Sequence, residues 1–314
     1  MKIVITGALG HIGSKLIREL PSLITDSEFV LVDDLSAQRY CSLFNLPNGV
    51  DYHFYEMDIL TADLQTLFSG ADVVIHLAAA TNAVESFQDP KQVELVNCSG
   101  TEKVAQACVD LNCPLIFLSS TSVYGTKNEM VDEDCCIDDL NPQSPYAESK
   151  LRAESLLSVL GARNNLRFVT CRFGTIFGIS PGMRFHTAVN KFCWQAVTGQ
   201  PVTVWKTALH QMRPYLDLND AVEALALIIN RSLYDRRVYN VLTSNVTVAD
   251  ILSIISRYVP DLKINFVDTA VMNQLSYHVS IERFRKMGFE SKGDLENGIR
   301  QTIDLLKGAR RWVI

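Results

Sequence analysis

The apolar run Lys2-Ile3-Val4-Ile5-Thr6 ends directly in Gly7, Gly10 and Gly13, and helical periodicity begins at His11. A strand that turns on glycine into a helix constrains the fold strongly, because three consecutive pieces of backbone are specified together. The first glycine permits the tight turn, the second lets the backbone approach a pyrophosphate, and the third lets helix and strand pack closely. Free N–H groups at the start of the helix then face the phosphates. Turns also use glycine for conformation alone. The place of this triplet, between first strand and first helix, is what favours a dinucleotide site.

The pattern continues. Strands are expected over Phe29–Asp33, Tyr52–Glu56, Val73–Leu77, Leu115–Ser119 and Arg167–Arg172, and helices over His11–Leu20, Lys91–Leu111 and Tyr146–Leu160. Such alternation means an α/β fold, a doubly wound parallel sheet covered on both faces. Residues 1–173 read as a dinucleotide-binding domain. Beyond Gly174 the spacing is irregular: a helix at Thr187–Thr198, strands near Val202–Trp205 and Tyr215–Leu218, a helix at Asp220–Asn230 and further helices near the end. Residues 174–314 are expected to form mainly a smaller substrate-binding domain whose chain returns to the sheet. A length of 314 residues suits two such units.

A net charge of -6, with no Lys/Arg run longer than two, gives no electrostatic footprint for nucleic acid or an anionic membrane. No apolar stretch approaches the roughly 18 residues of a membrane helix. The opening apolar run is too short, and too soon broken by glycine, for a signal peptide, so a cytoplasmic protein is expected. The eight cysteines are scattered without CxxC spacing, which suggests reduced thiols and no metal site.

The second strand ends in Asp33-Asp34, twenty residues past Gly13. A carboxylate there accepts hydrogen bonds from the adenosine ribose and repels a 2'-phosphate, which favours NAD over NADP. Asp33 is the ribose candidate and Asp34 a solvated or capping neighbour. Arg39 could hold a 2'-phosphate, although a surface guanidinium is the plainer reading. Asp58 either meets the adenine edge or caps a helix.

Tyr146 and Lys150 lie four residues apart among good helix formers, so they share a helical face. A phenol with a reference pKa of about 10 is a poor base, but a nearby ammonium favours the phenolate. Tyr146 can then take a proton from a substrate hydroxyl. The same spacing arises often by chance, with the tyrosine packed and the lysine solvated. What raises the pair above that default is Ser119-Ser120-Thr121-Ser122, placed at the carboxyl end of a strand where parallel sheets bind ligands. Ser120 is the candidate for orienting the reacting oxygen.

Together these residues resemble the extended short-chain dehydrogenase/reductase family, specifically its nucleotide-sugar epimerases and dehydratases, over nearly the whole chain. The matching pieces are Gly7-Ala8-Leu9-Gly10-His11-Ile12-Gly13, Asp33, His76-Leu77-Ala78-Ala79, Asn97 with Gly100-Thr101, Ser119-Ser120 with Val123-Tyr124-Gly125, Tyr146 to Lys150, Arg172 with Phe177-Gly178, and Arg213 with Tyr215-Leu216 and Asp220. The resemblance implies a Rossmann-type sheet with a C-terminal substrate domain, NAD as cofactor and a nucleotide-sugar substrate. It implies that Tyr146 is the base, that Lys150 holds the nicotinamide ribose, and that Ser120 orients the sugar. Gly7, Gly10, His11, Ile12, Gly13, Asp33, Asp58, Ile59, Leu77, Ala78, Ala79, Asn97, Ser119, Tyr146 and Lys150 are the expected cofactor contacts. Thr81, Ser120, Thr121, Arg184, Asn190 and Arg213 are the expected substrate contacts. For Arg213, a fork on the substrate diphosphate competes with a salt bridge to Asp217 or Asp220.

Departures from the family pattern bear on the reaction. The 4,6-dehydratases carry Asp-Glu where this chain has Thr121-Ser122, and the decarboxylases have glutamate at the place of Ser122. The 3,5-epimerases and fucose-type synthases use a cysteine in this loop. By elimination the chain looks like a 4-epimerase, which oxidises C4 of a nucleotide-linked hexose and reduces the ketone from its other face. His11 replaces the usual aromatic residue, and Gly174 stands where many 4-epimerases carry asparagine. The segment Phe177-Gly178-Ile179-Ser180-Pro181-Gly182-Met183-Arg184 is similar to a branch that includes GDP-heptose 4-dehydrogenases, so a one-way 4-dehydrogenase or ketoreductase is the leading alternative, with a dehydratase behind it. An NAD-sensing regulatory protein is the non-enzymatic alternative, disfavoured because Tyr146 and Lys150 are both intact. In similar proteins the helices expected over Lys91–Leu111 and Tyr146–Leu160 form a dimer surface, so a homodimer is expected.

Overall fold

The computed structural model describes residues 1–125, 130–268 and 276–308. Among them, β1 (Lys2–Thr6), β2 (Glu28–Asp33), β3 (Asp51–Glu56), β4 (Val73–His76), β5 (Leu115–Ser120) and the strands Phe168–Phe173 and Val238–Val241 form one seven-stranded sheet. Its spatial order is β3, β2, β1, β4, β5, Phe168–Phe173, Val238–Val241, and every neighbouring pair is parallel. The chain winds outward from β1 in one direction and then restarts at β4 in the other. At that reversal the carboxyl ends of β1 and β4, paired through Thr6 and His76, open a crevice.

β4 and Phe168–Phe173 are buried along their whole length, the condition of strands covered on both faces. On one face Leu16, Ile17 and Leu20 of α1 (His11–Leu23) pack with Leu225, Ile228 and Ile229 of the helix Leu218–Asn230. On the other, Phe68, Val104 and Cys108 meet Ala153 and Leu157 of the helix Pro145–Asn164. The turn into α1 needs its glycines. Gly7 has φ +67°, and a Cβ on it would lie 2.5 Å from the Ala78 backbone nitrogen; a Cβ on Gly13 would lie 2.4 Å from the Ala8 carbonyl oxygen.

Several elements differ from expectation. α1 continues three residues beyond Leu20, through Pro21. The helix expected over Lys91–Leu111 is α-helical at Pro90–Glu94, widens into a π turn at Leu95–Ser99, and resumes at Gly100–Asp110. The strand expected at Tyr215–Leu218 occupies Met212–Asp217, because Asp217 caps the next helix by accepting from the Asn219 N–H at 2.7 Å.

The second unit contains a three-stranded sheet in which Met212–Asp217 lies between Thr175–Phe177, parallel, and Ser244–Thr247, antiparallel. Its own core includes Phe192, Val204, Tyr215, Ile251, Ile255 and Ile299. Among the described residues no helix is long and apolar enough to cross a membrane.

Candidate active site

The crevice deepens into a cavity of about 600 Å³ that runs from the glycine turn to the amino end of the helix Pro145–Asn164. It brings together Gly7, Gly10, His11, Ile12, Gly13, Asp33, Asp58, Ile59, Leu77, Ala78, Ala79, Thr81, Ser119, Ser120, Tyr146, Lys150 and Arg184. Residues more than a hundred positions apart in sequence therefore line one space.

The turn end suits a pyrophosphate. Unlike its neighbours, Gly10 faces the opening: a Cβ there would find the Gly7 carbonyl oxygen at 3.3 Å and Arg39 Nη1 at 3.9 Å. Asp33 accepts from Leu9 N–H at 2.9 Å and from Leu35 N–H at 3.0 Å, one bond on each carboxylate oxygen. Burial raises its pKa and these two bonds oppose the rise. Each oxygen retains a lone pair for a ribose hydroxyl. Asp34 instead accepts from the Ser36 N–H and hydroxyl, closing a local turn. Arg39 is not the surface guanidinium of the plainer reading; it is half-buried, lines the cavity and feels the charge of Asp33.

His11 also departs from a simple cover for the helix start. Its Nε2 is 2.9 Å from the Gly178 carbonyl oxygen, and burial lowers its pKa to about 3. The neutral ring donates through Nε2, so Nδ1, shielded from water and without a partner among the described residues, is left as an acceptor. Beside it Ser14 Oγ donates to Ser180 Oγ, Ser180 Oγ contacts the His11 carbonyl, and Gly182 N–H donates to Ser14 Oγ. A Cβ on Gly182 would lie 2.3 Å from the Leu9 carbonyl oxygen. The segment 178–184 is thus laid directly over the glycine turn, and from it Arg184 Nη1 reaches across to donate to Thr81 Oγ1.

At the other end Ser144 Oγ accepts from the Ala147 N–H at 3.2 Å and Pro145 occupies the first helical position, a strong helix start that sets Tyr146 and Lys150 one turn apart. Lys150 is buried, donates from Nζ to the Leu118 carbonyl at 2.8 Å and sits 4.9 Å from the Phe117 ring centre. Burial lowers its pKa to about 8. Desolvation raises the Tyr146 pKa, opposed by the charge of Arg184 and by the Ser120 hydroxyl. Ser120 Oγ accepts from Ser122 N–H at 3.1 Å and from Ser122 Oγ at 2.9 Å, which leaves its own O–H to donate.

Four expected contacts do not line the cavity. Asn97, carried inward by the π turn, accepts from Ala80 N–H at 2.8 Å and donates to Ser149 Oγ at 2.9 Å, so it braces the wall from behind. Thr121 turns its hydroxyl to the Phe173 carbonyl at 3.3 Å. Asn190 is buried and donates to the Arg184 carbonyl at 3.1 Å. Arg213 donates to Gln211 Oε1 at 3.0 Å and lies 5.3 Å from the Tyr277 ring centre, while Asp217 and Asp220 hold backbone N–H groups elsewhere. Glu154 escaped the sequence reading: it accepts from Ser119 Oγ behind the site, and its place one turn beyond Lys150 was the available signal.

Chemically, the arrangement is a phenol, a serine hydroxyl and two cations at the end of a cavity whose other end offers backbone N–H groups and a carboxylate. It can hold a dinucleotide and move a proton at a hydroxyl. The carboxylates that line it, Asp33, Asp34 and Asp58, come from the β2 and β3 side. Beside Tyr146 the loop supplies hydroxyls.

Residues 3–241 match the model of a family described as the NAD dependent epimerase/dehydratase family. A UDP-N-acetylglucosamine 4-epimerase from Methanobrevibacter ruminantium, solved in complex with UDP-N-acetylmuramic acid, superposes with a TM-score of 0.86 at 26% identity over 98% of each chain. A UDP-glucose 4-epimerase from Thermus thermophilus, complexed with NAD, gives a TM-score of 0.83 at 25% identity over 98% of this chain and 100% of that one. An Arabidopsis thaliana trifunctional UDP-glucose 4,6-dehydratase/UDP-4-keto-6-deoxy-D-glucose 3,5-epimerase/UDP-4-keto-L-rhamnose-reductase is 27% identical over 99% of this chain. The match takes in 48% of that protein, so the chain spans about half the length of the curated relative.

Proposed function

This chain belongs to the NAD dependent epimerase/dehydratase family, and from that premise we propose that it is an NAD-dependent nucleotide-sugar 4-epimerase. The observation that carries this reading is the loop after β5: next to Tyr146 it presents Ser120 and Ser122, while Thr121 faces away. Elimination of water needs an acid and a base beside the sugar, and Ser120, Thr121 and Ser122 offer hydroxyls and no carboxylate. Transient oxidation at C4 needs only one group that takes a proton and gives it back.

The glycine turn fits the cofactor because Gly10 opens on the cavity, where a Cβ would meet nothing nearer than the Gly7 carbonyl oxygen at 3.3 Å. Gly7 to Gly13 would hold the pyrophosphate, Asp33 the adenosine ribose and Lys150 the nicotinamide ribose. A bound nicotinamide supplies reversible hydride transfer at C4 of the sugar. Ser120 donates to the C4 oxygen and holds it toward Tyr146. The Tyr146 phenolate removes the hydroxyl proton as the ketone forms and returns it when the ketone is reduced from the other face. Thr81, Thr121, Arg184, Asn190 and Arg213 belong to the substrate side in this reading, with Thr121, Asn190 and Arg213 acting from outside the described cavity wall. A homodimer through the helices of residues 90–110 and 145–164 is part of the proposal, supported by Leu95 and Val159, 45% and 46% exposed on them. So is a cytoplasmic setting.

One-way oxidation or reduction at C4 is the second reading, favoured by the segment ending at Arg184. A panel of UDP-, GDP-, dTDP- and CDP-sugars separates the two. Interconversion of epimers without net NADH is expected; stoichiometric NADH, or loss of water, would sink the epimerase.

A further inference from the structure

We propose that Arg39 is a cofactor-binding residue that holds the pyrophosphate of NAD against the glycine turn, and that it serves neither the 2'-position of the adenosine ribose nor the adenine ring. The proposal rests on the reading of Gly7 to Gly13 as the pyrophosphate site.

The loop after β2 is built to carry this side chain. Leu35 and Gln38 take φ of +54° and +52°, and the Gln38 N–H donates to the Leu35 carbonyl at 2.7 Å. Residues with a side chain rarely adopt that backbone conformation, which persists where the surroundings fix it. Beyond Gln38, the Ser42 N–H donates to the Arg39 carbonyl at 3.0 Å, and Ser42 Oγ donates to the Leu9 carbonyl at 2.8 Å. Arg18 of α1 donates from Nη1 to the Ser42 carbonyl at 2.9 Å, and Cys41 Sγ donates to the Pro181 carbonyl at 3.2 Å. The Leu9–Gly10 peptide thus anchors the very loop whose guanidinium reaches back to Gly10.

The end point of that side chain selects its ligand. Nη1 lies 3.9 Å from the place of a Cβ on Gly10, and the second glycine of such a turn is the one that pyrophosphate approaches. Gly10 caps α1 without a side chain, so no capping group occupies the N–H donors of the first turn. Arg39 itself is half-buried, lines the cavity and has no hydrogen bond or ion pair among the described residues. Asp33, whose charge it feels, already accepts from the Leu9 and Leu35 N–H groups and would repel a 2'-phosphate. A fork of free N–H donors matches phosphate oxygens, and here it stands beside the glycine over which they must pass.

The test is the Kd of NAD, NADP, ADP and adenosine, the weak ligands measured by competition, in wild type, Arg39→Gln, Arg39→Lys and Gly10→Ala. Loss of a charge-assisted contact should weaken NAD, NADP and ADP together in Arg39→Gln, by about tenfold each. Adenosine, which has no phosphate, should bind as in wild type and so report an intact fold. Arg39→Lys should recover part of the loss, since the charge remains and the fork does not. A loss much larger for NADP than for NAD would put the guanidinium on a 2'-phosphate and overturn the proposal. Equal weakening of adenosine would put it on the adenosine moiety and overturn it as well. If Gly10→Ala weakens NAD and Arg39→Gln does not, only this proposal falls; NAD unmoved in both brings down the pyrophosphate site itself.

Discussion

Glu154 and Arg172 meet as a two-point ion pair inside the protein, Nε to Oε1 at 3.0 Å and Nη2 to Oε2 at 2.7 Å, with side chains 7% and 5% exposed. Arg172 Nη1 also donates to the Tyr124 hydroxyl at 2.9 Å, and that hydroxyl donates to Asn240 Oδ1 at 2.9 Å. Four elements are joined behind the site: the helix of Lys150, the end of β5 through Ser119, and the last two strands of the sheet.

Removing one partner strands the other charge. Glu154→Leu should lower unfolding stability by about 3 to 5 kcal/mol, whereas the double variant Glu154→Leu/Arg172→Met should recover much of the loss. Urea unfolding measures both. A single-variant cost under about 1 kcal/mol would rule out this view of the pair.

The glycines separate packing from binding. Gly13→Ala forces a methyl to 2.4 Å from the Ala8 carbonyl oxygen and should cost roughly 1 to 3 kcal/mol. Gly10→Ala makes a tight but smaller contact, 3.3 Å from the Gly7 carbonyl oxygen, so its thermal midpoint should fall less than that of Gly13→Ala while the Kd for NAD rises. Equal effects of the two on Kd and midpoint would contradict the division.

Tyr146→Phe removes the proton acceptor and leaves the ring. Turnover should fall by roughly 10² to 10⁴ with NAD still bound, as cofactor titration would reveal. Unchanged turnover removes Tyr146 from the mechanism.

Acid should destabilise the fold through two imidazoles. His76 accepts at Nδ1 from Thr6 and donates from Nε2 to Thr101, whose own proton goes to the Asn97 carbonyl; burial lowers its pKa to about 3, as it does for His11. The unfolded chain, with rings near 6.5, binds more protons than the folded one between those values. Stability from the neutral rings is complete above pH ~6.5 and falls below it, by up to about 1.4 kcal/mol per pH unit for each ring. Urea midpoints at pH 7.5, 6 and 5 should decline, less steeply in His11→Gln. A flat profile would exclude the effect.

The central strands were legible because burial on both faces writes them as unbroken apolar runs. Val238–Val241 was not: four residues with a buried Asn240 in the middle carry no such signal, and Asn240 is tolerated because Tyr124 donates to its Oδ1 and its Nδ2 donates to the Ser280 carbonyl at 3.0 Å. The π turn was hidden too, since one extra residue in a helical turn leaves composition unchanged. In the site, the glycine triplet, Asp33, Ser120, Tyr146 and Lys150 were readable because each depends on local spacing. Arg39 and Arg184 acquire their surroundings from chain crossings that spacing does not encode, and Thr121, Asn190 and Arg213 stand off the cavity wall for the same reason.

The return of Val238–Val241 to the sheet has a practical meaning for anyone dividing this protein. A fragment ending at residue 173 would retain every residue of the glycine turn together with Tyr146 and Lys150, yet it would leave Phe168–Phe173, buried throughout, as a bare margin of unpaired backbone. An uncovered apolar edge of that kind recruits strands from other molecules. Such a fragment should precipitate, and the smallest piece that can be handled alone extends past residue 241.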